Sequence, residues 1–269
     1  MASPTTSRPG PSSPPESPIS SASPTETTDR KNEVHFVIQG KGGVGKSLVA
    51  TLLAEFLRER IGDLRCFDTD PVNPTFASYT EFGVRRIELF EGSAINAKAF
   101  DGMMIAMLDA GASAVVDNGA TTFIPLMNYI AQSGVFEVLL GAGKQVFVHI
   151  IVAGGDAVGE TVDGFAQIMA GLPADVKAIV WLNALHGEVD IEGVEFEHTA
   201  IYRKVQDQVA GIVPLPAPAS DLFARDLQDL RRKRVSFKAA TDGSGFNVME
   251  RQRFSMVRRD LFARMAAVL

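Results

Sequence analysis

Cysteine is almost missing from this chain: Cys66 is the only one. A single thiol can form neither an internal disulfide nor a multi-cysteine metal site, which fits a reducing, cytoplasmic setting. No run of about 18 apolar residues occurs, so no transmembrane helix is expected. The N-terminus lacks the apolar core of a secretory signal. His35, His149, His186 and His198 are scattered without ligand spacing, and H-E-x-x-H, G-x-S-x-G and C-x-x-C are absent. Zinc and catalytic-triad chemistry therefore have no support. The guanine-reading string N-K-x-D is also missing, and no internal repeat is visible.

What remains is ample for a full core: 269 residues, 46% of them hydrophobic. That suits one large α/β domain with an appendage. The appendage is residues 1–32, where seven prolines, eight serines and five threonines fill twenty positions. Such a segment buries too little apolar surface to offset its ordering entropy, so it reads as a disordered leader. A docking or phosphorylated tail is the functional alternative. Charge is uneven as well. Residues 231–269 carry ten Lys/Arg against three acids, a net +7 in a chain whose total is −6, leaving −13 for the rest.

Over 33–269 short apolar runs alternate with helical patterns. Strands are expected at Val34–Gln39, Leu64–Phe67, Ser113–Val116, Val146–Val152, Ala178–Leu182 and Gly211–Val213. Helices are expected at Lys46–Arg60, at Met103–Asp109, over 157–170 and at Val248–Ala267. This alternation predicts a doubly wound α/β fold, a mostly parallel sheet with helices on both faces. Ligands in such sheets bind at the carboxyl ends of the strands.

Gly40 to Ser47 reads GKGGVGKS and fits G-x-x-x-x-G-K-[ST], with a strand before it and an amphipathic helix after it. Gly42, Gly43, Val44 and Gly45 can turn successive backbone N–H groups around a phosphate, and the helix N-terminus adds partial positive charge. Lys46 can reach the β- and γ-phosphates, and the Ser47 hydroxyl can ligate Mg²⁺. A rival reading exists. Gly40, Gly42 and Gly45 also fit G-x-G-x-x-G, with Asp68 near the place of a ribose-binding acid. That motif has no use for Lys-Ser after its last glycine. Nor does it explain the two further strand-end aspartates: Asp70, in Asp68-Thr69-Asp70-Pro71, and Asp117, in Val115-Val116-Asp117-Asn118-Gly119. The latter string reads as a Walker B element in which Asp117 would hold Mg²⁺, and Gly119 would give a switch near the γ-phosphate.

The form K-G-G-V-G-K-S resembles the deviant Walker A loop of the ParA/MinD superfamily. The resemblance implies that Lys41 reaches across a nucleotide-dependent homodimer to the partner's phosphates. It further implies that Asp68 lies near the metal, that Asp70 orients the attacking water, and that Asn183 and Pro214 border the adenine. ATP and Mg²⁺ would be the cofactors. Closer similarity, to the ParA-like conjugal-transfer proteins of the TraL family, runs over 34–269 through VIQGKGGVGKS, DTDPVNPTF, FEGSAINAKAFD, VVDNGA, VWLN and MERQRFSMVRRDLF. It implies partners in the conjugative transfer machinery of a bacterium. Iron–sulfur members of the superfamily need paired cysteines, and the arsenite-pump type repeats its domain; this chain has neither feature.

Three readings of the basic tail stay open. Phe254, Val257, Leu261, Met265 and Val268 form an apolar stripe. It suits a terminal helix packed on the sheet, a helix beside a non-specific DNA surface, or a membrane-surface helix. The function expected is a Mg²⁺–ATP-dependent dimerising switch in conjugal DNA transfer, reset by slow hydrolysis. The alternatives are a nucleotide-binding adaptor without hydrolysis and a small-molecule kinase- or ligase-like enzyme.

Overall fold

The computed structural model describes residues 1–2, 32–91, 94–109, 111–243 and 245–269, backbone alone at 90, 91, 94 and 95. The expected disordered leader lies outside the described residues, save Met1, Ala2 and Asn32.

The strands are β1 (Glu33–Ile38), β2 (Leu64–Asp68), β3 (Arg85–Arg86), β4 (Phe90–Glu91), β5 (Ala94–Ile95), β6 (Ser113–Asp117), β7 (Gln145–Ala153), β8 (Lys177–Asn183) and β9 (Val209–Leu215). The helices are α1 (Lys46–Ile61), α2 (Ala99–Leu108), α3 (Phe123–Ser133), α4 (Val135–Gly141), α5 (Val158–Ala170), α6 (Ala200–Arg203), α7 (Asp221–Lys233), α8 (Phe237–Asp242) and α9 (Val248–Ala266). Seven strands form one sheet in the order β3-β2-β6-β1-β7-β8-β9, and every pairing in it is parallel. β4 and β5 pair antiparallel as a separate ribbon. The fold is doubly wound α/β, as the alternation predicts.

Period-2 alternation divides the core in two. Val34, Phe36 and Ile38 of β1, with Val146, Val148, Ile150 and Val152 of β7, face α2 to α5. Val37, Val115, Ile151, Ile179 and Trp181 face the other way, against α1, α8 and α9. With both faces covered, the central strands read as the continuous apolar runs seen in the sequence. Helix α1 ends where Gly62 takes a positive φ of 90° and returns its N–H to Arg58 O.

Each of the six expected strands is present: β1 is shifted by one residue, β2, β6, β7 and β8 are longer by a residue or two, and β9 is longer by four. The seventh, β3, is two exposed arginines and carries no apolar signal. Helices α3 and α4 were not expected: Pro125 stands in the first turn of α3, and Gly134, at φ 57°, breaks the run between them. Among the described residues no single helix is long and apolar enough to cross a membrane.

The apolar stripe of α9 is packed inward: Phe254, Leu261 and Met265 are buried, and Val257 and Val268 pack against the same core. Its start is fixed by a capping box, with Asn247 Oδ1 accepting from Glu250 N and Glu250 accepting from Asn247 N. Buried Glu55 of α1 accepts from Phe237 N (3.0 Å) and Lys238 N (3.1 Å) at the start of α8, and also from Arg258 of α9. One carboxylate thus ties three helices together. Five of the ten basic residues in 231–269 have carboxylates in contact: Arg232 with Asp229, Lys238 with Asp242, Arg253 with Asp226, Arg258 with Glu55 and Glu59, and Arg264 with Asp260. Asp226, Asp229, Glu55 and Glu59, all outside the tail, thus offset part of its +7, and of the three readings the packed terminal helix accounts for the stripe.

Candidate functional site

The parallel register sets Asp68 of β2 beside Asp117 of β6, and Asp117 beside Val37 of β1. The loop leaving β1 therefore runs past both aspartates before it enters α1. Its shape depends on two glycines. Gly43 has φ 77°, and a Cβ there would meet nothing within 4 Å. Gly45 has φ 102°, and a Cβ there would stand 2.7 Å from Asn183 Nδ2. Gly45 is also the N-cap of α1 and has no side chain to cap it. The first N–H groups of α1 thus lack a side-chain acceptor, the ordinary condition of an anion site.

These groups open on a cavity of ≈ 410 Å³ lined by Gly42, Gly43, Gly45, Lys46, Ser47, Asp70 and Asn118, with Tyr79, Arg231 and Arg234 on its wall. Lys46 is buried, and its ammonium donates to Lys41 O at 2.7 Å. Burial lowers its pKa, while Asp117 and Asp70 act to raise it.

Asp117 is buried, and its Oδ1 has no hydrogen-bond partner among the described residues. Burial first, then the charge of Asp68, push its carboxyl up to about 8, against the pull of Ser47 and Lys46. An acceptor in this condition suits a cation. Next to it, Asn118 Oδ1 faces the hydroxyls of Thr69 (3.0 Å) and Thr122 (2.9 Å), which leaves Nδ2 buried without a partner. A buried orphan donor costs about 1–3 kcal/mol, so it invites an anionic acceptor. Acceptor and donor stand on consecutive residues near the uncapped helix, an arrangement that can receive a cation and an anion side by side. The donor was not legible in the sequence; only the packing of Thr69 and Thr122 isolates it.

Asp68 sits differently. Its two oxygens accept from Asp70 N and Ala77 N, each at 2.9 Å, and it is fully buried. Burial raises its pKa to about 6, while those N–H groups lower it. It braces the 69–77 loop and is not among the residues lining the cavity. The same engagement removes it from the role of ribose-binding acid, which the dinucleotide reading needs. Asp70 lines the cavity, with Oδ1 accepting from Val72 N and Asn73 N at 2.9 Å. Gly119 presses on it: a Cβ there would come within 2.8 Å of Asp70 Cα and Cγ.

Lys41 points elsewhere, its ammonium 2.7 Å from Glu160 of α5 on a partly exposed surface. Asn183 is fully buried: Nδ2 donates to Val44 O at 2.8 Å and Oδ1 accepts from Leu185 N at 3.1 Å. It holds the phosphate loop to the end of β8 with both ends engaged. Pro214 stays within β9, paired with Leu182. The residues after it, Leu215, Pro216 and Ala217, line an apolar cleft of ≈ 230 Å³ with Leu48 and Leu185. The cleft shares Leu48 with the cavity beside Gly42–Ser47. Cys66 is buried, and burial pushes its thiol up to about 12, so it is inert.

No family model matches the chain. Two proteins from Escherichia coli, each described as Protein TraL, are 37% identical to it over 239 residues, covering 88% of this chain and 99% of theirs. Among solved structures, the MinD cell division protein of Aquifex aeolicus aligns at TM-score 0.44 and 12% identity, over 86% of this chain and 97% of its own. A plasmid partition protein of Borrelia burgdorferi aligns at TM-score 0.40 and 12% identity, over 76% and 98%. Likeness of that size leaves the chemistry of the site to this chain's own residues.

Proposed function

The chain belongs to the TraL family, and on that premise we propose that it is a Mg²⁺–ATP-dependent dimerising switch of the ParA/MinD type, acting in conjugal DNA transfer on the cytoplasmic side. One observation carries the reading. The orphaned acceptor of Asp117 and the orphaned donor of Asn118 stand on consecutive residues near an uncapped helix N-terminus, and Asn118 lines a cavity that also holds Lys46 and Ser47.

The residues divide the work. Backbone N–H groups of Gly42 to Ser47 cradle the phosphates, and the Lys46 ammonium neutralises their charge. Ser47 and Asp117 hold Mg²⁺, with Asp68 bracing the loop beside them. When bound, that ion would supply positive charge that offsets the charge developing at the transferred phosphoryl group. Asp70 orients the attacking water. Asn183 fixes the loop through Val44, and the apolar cleft beyond Leu48 receives the base, bordered by Pro216 in place of Pro214. Lys41 acts in trans after leaving Glu160. That pair is exposed enough to be worth no more than about 1 kcal/mol, so its loss opposes dimerisation little. Partners are a second copy and proteins of the transfer machinery. The ion pairs of the tail leave the DNA-surface idea without further support.

A second reading, an adaptor that binds ATP without hydrolysing it, is favoured by the engagement of Asp70 Oδ1 with two backbone N–H groups. Calorimetric titration of ATP with and without Mg²⁺ tests the shared premise. Wild type should bind tightly with Mg²⁺, and Lys46→Ala should not. A wild-type chain that binds neither ATP nor Mg²⁺–ATP would end both readings. Turnover measured on wild type and Asp70→Ala then separates them, since equal, negligible rates favour the adaptor.

A further inference from the structure

The basic run Arg231-Arg232-Lys233-Arg234 closes α7, and its four members do different things. Arg232 pairs with Asp229 at 2.9 Å. Lys233 donates to Gly245 O at 2.6 Å and lies 3.9 Å from the centre of the Phe246 ring. Both serve the fold. Arg231 and Arg234 have no carboxylate within ion-pair distance among the described residues, and both line the phosphate cavity together with Lys46 and Ser47. The sequence distance from the P-loop is about 185 residues; only the packing of α7 beside α1 brings the two together.

Arg234 occupies an unusual place. It follows the last residue of α7 with φ 54° and ψ 48°, and its N–H returns to Arg231 O. Glycine is the ordinary residue there, because a Cβ is disfavoured at positive φ. Among the described residues only Glu192 and Arg234 adopt positive φ without being glycine. A strained position that keeps a long cationic side chain, turned onto a cavity, points to a use for that side chain. Tyr79 marks where it goes: this nearly buried phenol lines the same cavity, and Arg234, then Arg231, favour its ionised form against the effect of burial.

We propose that Arg231 and Arg234 bind the anionic part of the nucleotide held at the P-loop, adding two guanidinium donors in cis from the C-terminal region. The proposal rests on the nucleotide-binding reading of the cavity and extends it. The carboxylate lining the cavity is Asp70, so Lys46, Arg231 and Arg234 leave a cationic excess that suits a polyphosphate. Arginine fits this task better than lysine because its planar fork donates two parallel hydrogen bonds to phosphate. Occupation of the site would also fix the end of α7, joining the nucleotide to the α7–α9 layer.

The test is equilibrium binding of ATP, ADP and adenosine, with Mg²⁺, to wild type, Arg231→Ala, Arg234→Gly, Arg234→Lys and the double variant, alongside thermal unfolding without ligand. Each single loss should raise the Kd for ATP by about 10-fold or more, and the double loss by about 100-fold, as charge-assisted hydrogen bonds require. Adenosine binding should not move, and Arg234→Lys should recover part of the loss. Arg234→Gly should unfold no earlier than wild type, since glycine suits the backbone there; a role confined to bracing Tyr79 would lower the unfolding temperature instead. ATP affinities within about twofold of wild type in both single variants overturn the proposal, as does an equal loss of adenosine binding. A wild-type chain that binds no nucleotide at all would instead overturn the P-loop reading beneath it.

Discussion

Replacing Asp117 with asparagine should make the ligand-free chain more stable while weakening the proposed binding of Mg²⁺–ATP. Burial, then Asp68, lift the carboxyl from 3.8 up to about 8. At pH 7 the folded chain therefore holds this group protonated, while the unfolded chain ionises it. A raised carboxyl supports the fold fully below 3.8 and loses that support as pH climbs towards 8. Each pH unit in that interval costs about 1.4 kcal/mol, so the native chain gives up roughly 4 kcal/mol by pH 7. Asparagine has the same shape, keeps an acceptor for Ser47 and does not titrate. In urea denaturation without nucleotide or Mg²⁺, Asp117→Asn should exceed wild type by under about 2 kcal/mol at pH 5 and by about 4 kcal/mol at pH 7, with the gap widest near pH 8. A variant equal to or less stable than wild type at pH 8 would refute the reasoning. Asp117 would then be comfortably ionised in the folded chain, and its unpartnered oxygen would no longer call for a cation.

Other perturbations follow from the same geometry. Gly119→Ala would drive a Cβ to 2.8 Å from Asp70, so it should cost about 1–3 kcal/mol in denaturation and depress any ATP turnover. Glu55→Ala leaves Arg258 and the first N–H groups of α8 without their acceptor. It should destabilise by about 3–5 kcal/mol and expose the C-terminal helices to limited proteolysis. The buried chain Trp181 Nε1 to His149 Nδ1 (2.9 Å), His149 Nε2 to His35 Nδ1 (2.9 Å) and His35 Nε2 to Glu33 (3.3 Å) is satisfied with both imidazoles neutral. Burial lowers both pKa values, that of His149 well below 6.5. Their support is complete above pH 6.5 and is lost as pH falls below it, at up to about 1.4 kcal/mol per pH unit for each histidine. His149→Gln should therefore show a flatter decline in denaturation midpoint than wild type between pH 6.5 and 5, and parallel slopes would contradict the assignment.

The conformation of the glycine-rich loop was readable in the sequence because its signal is local. Glycines at positive φ, a lysine and a serine follow one another between an apolar strand and an apolar-faced helix. Asp117 was readable for a similar reason, as an acid ending a buried strand. The rest depends on packing. Whether Asp68 faces a ligand or the backbone is decided by the path of residues 69–77, which no pattern announces. Asn118 stands in the sequence only as a member of the Walker B string, and its orphaned donor arises because two threonines occupy its oxygen. The charge of 231–269 was legible only as an excess, because the partners of Arg253 and Arg258, Asp226 and Glu55, stand on other helices. Helices α3 and α4 escaped notice because Pro125, Gly134 and the exposed Ile124 and Val138 blur the helical period. The two residues of β3 offered no period at all.

The switch itself is tested most directly by light-scattering chromatography of wild type, Lys46→Ala and Asp70→Ala, each with saturating Mg²⁺–ATP. Asp70→Ala, which would bind but not release ATP by hydrolysis, should elute as a stable dimer; Lys46→Ala should remain a monomer. An Asp70→Ala chain that demonstrably binds ATP and still elutes as a monomer would contradict the account.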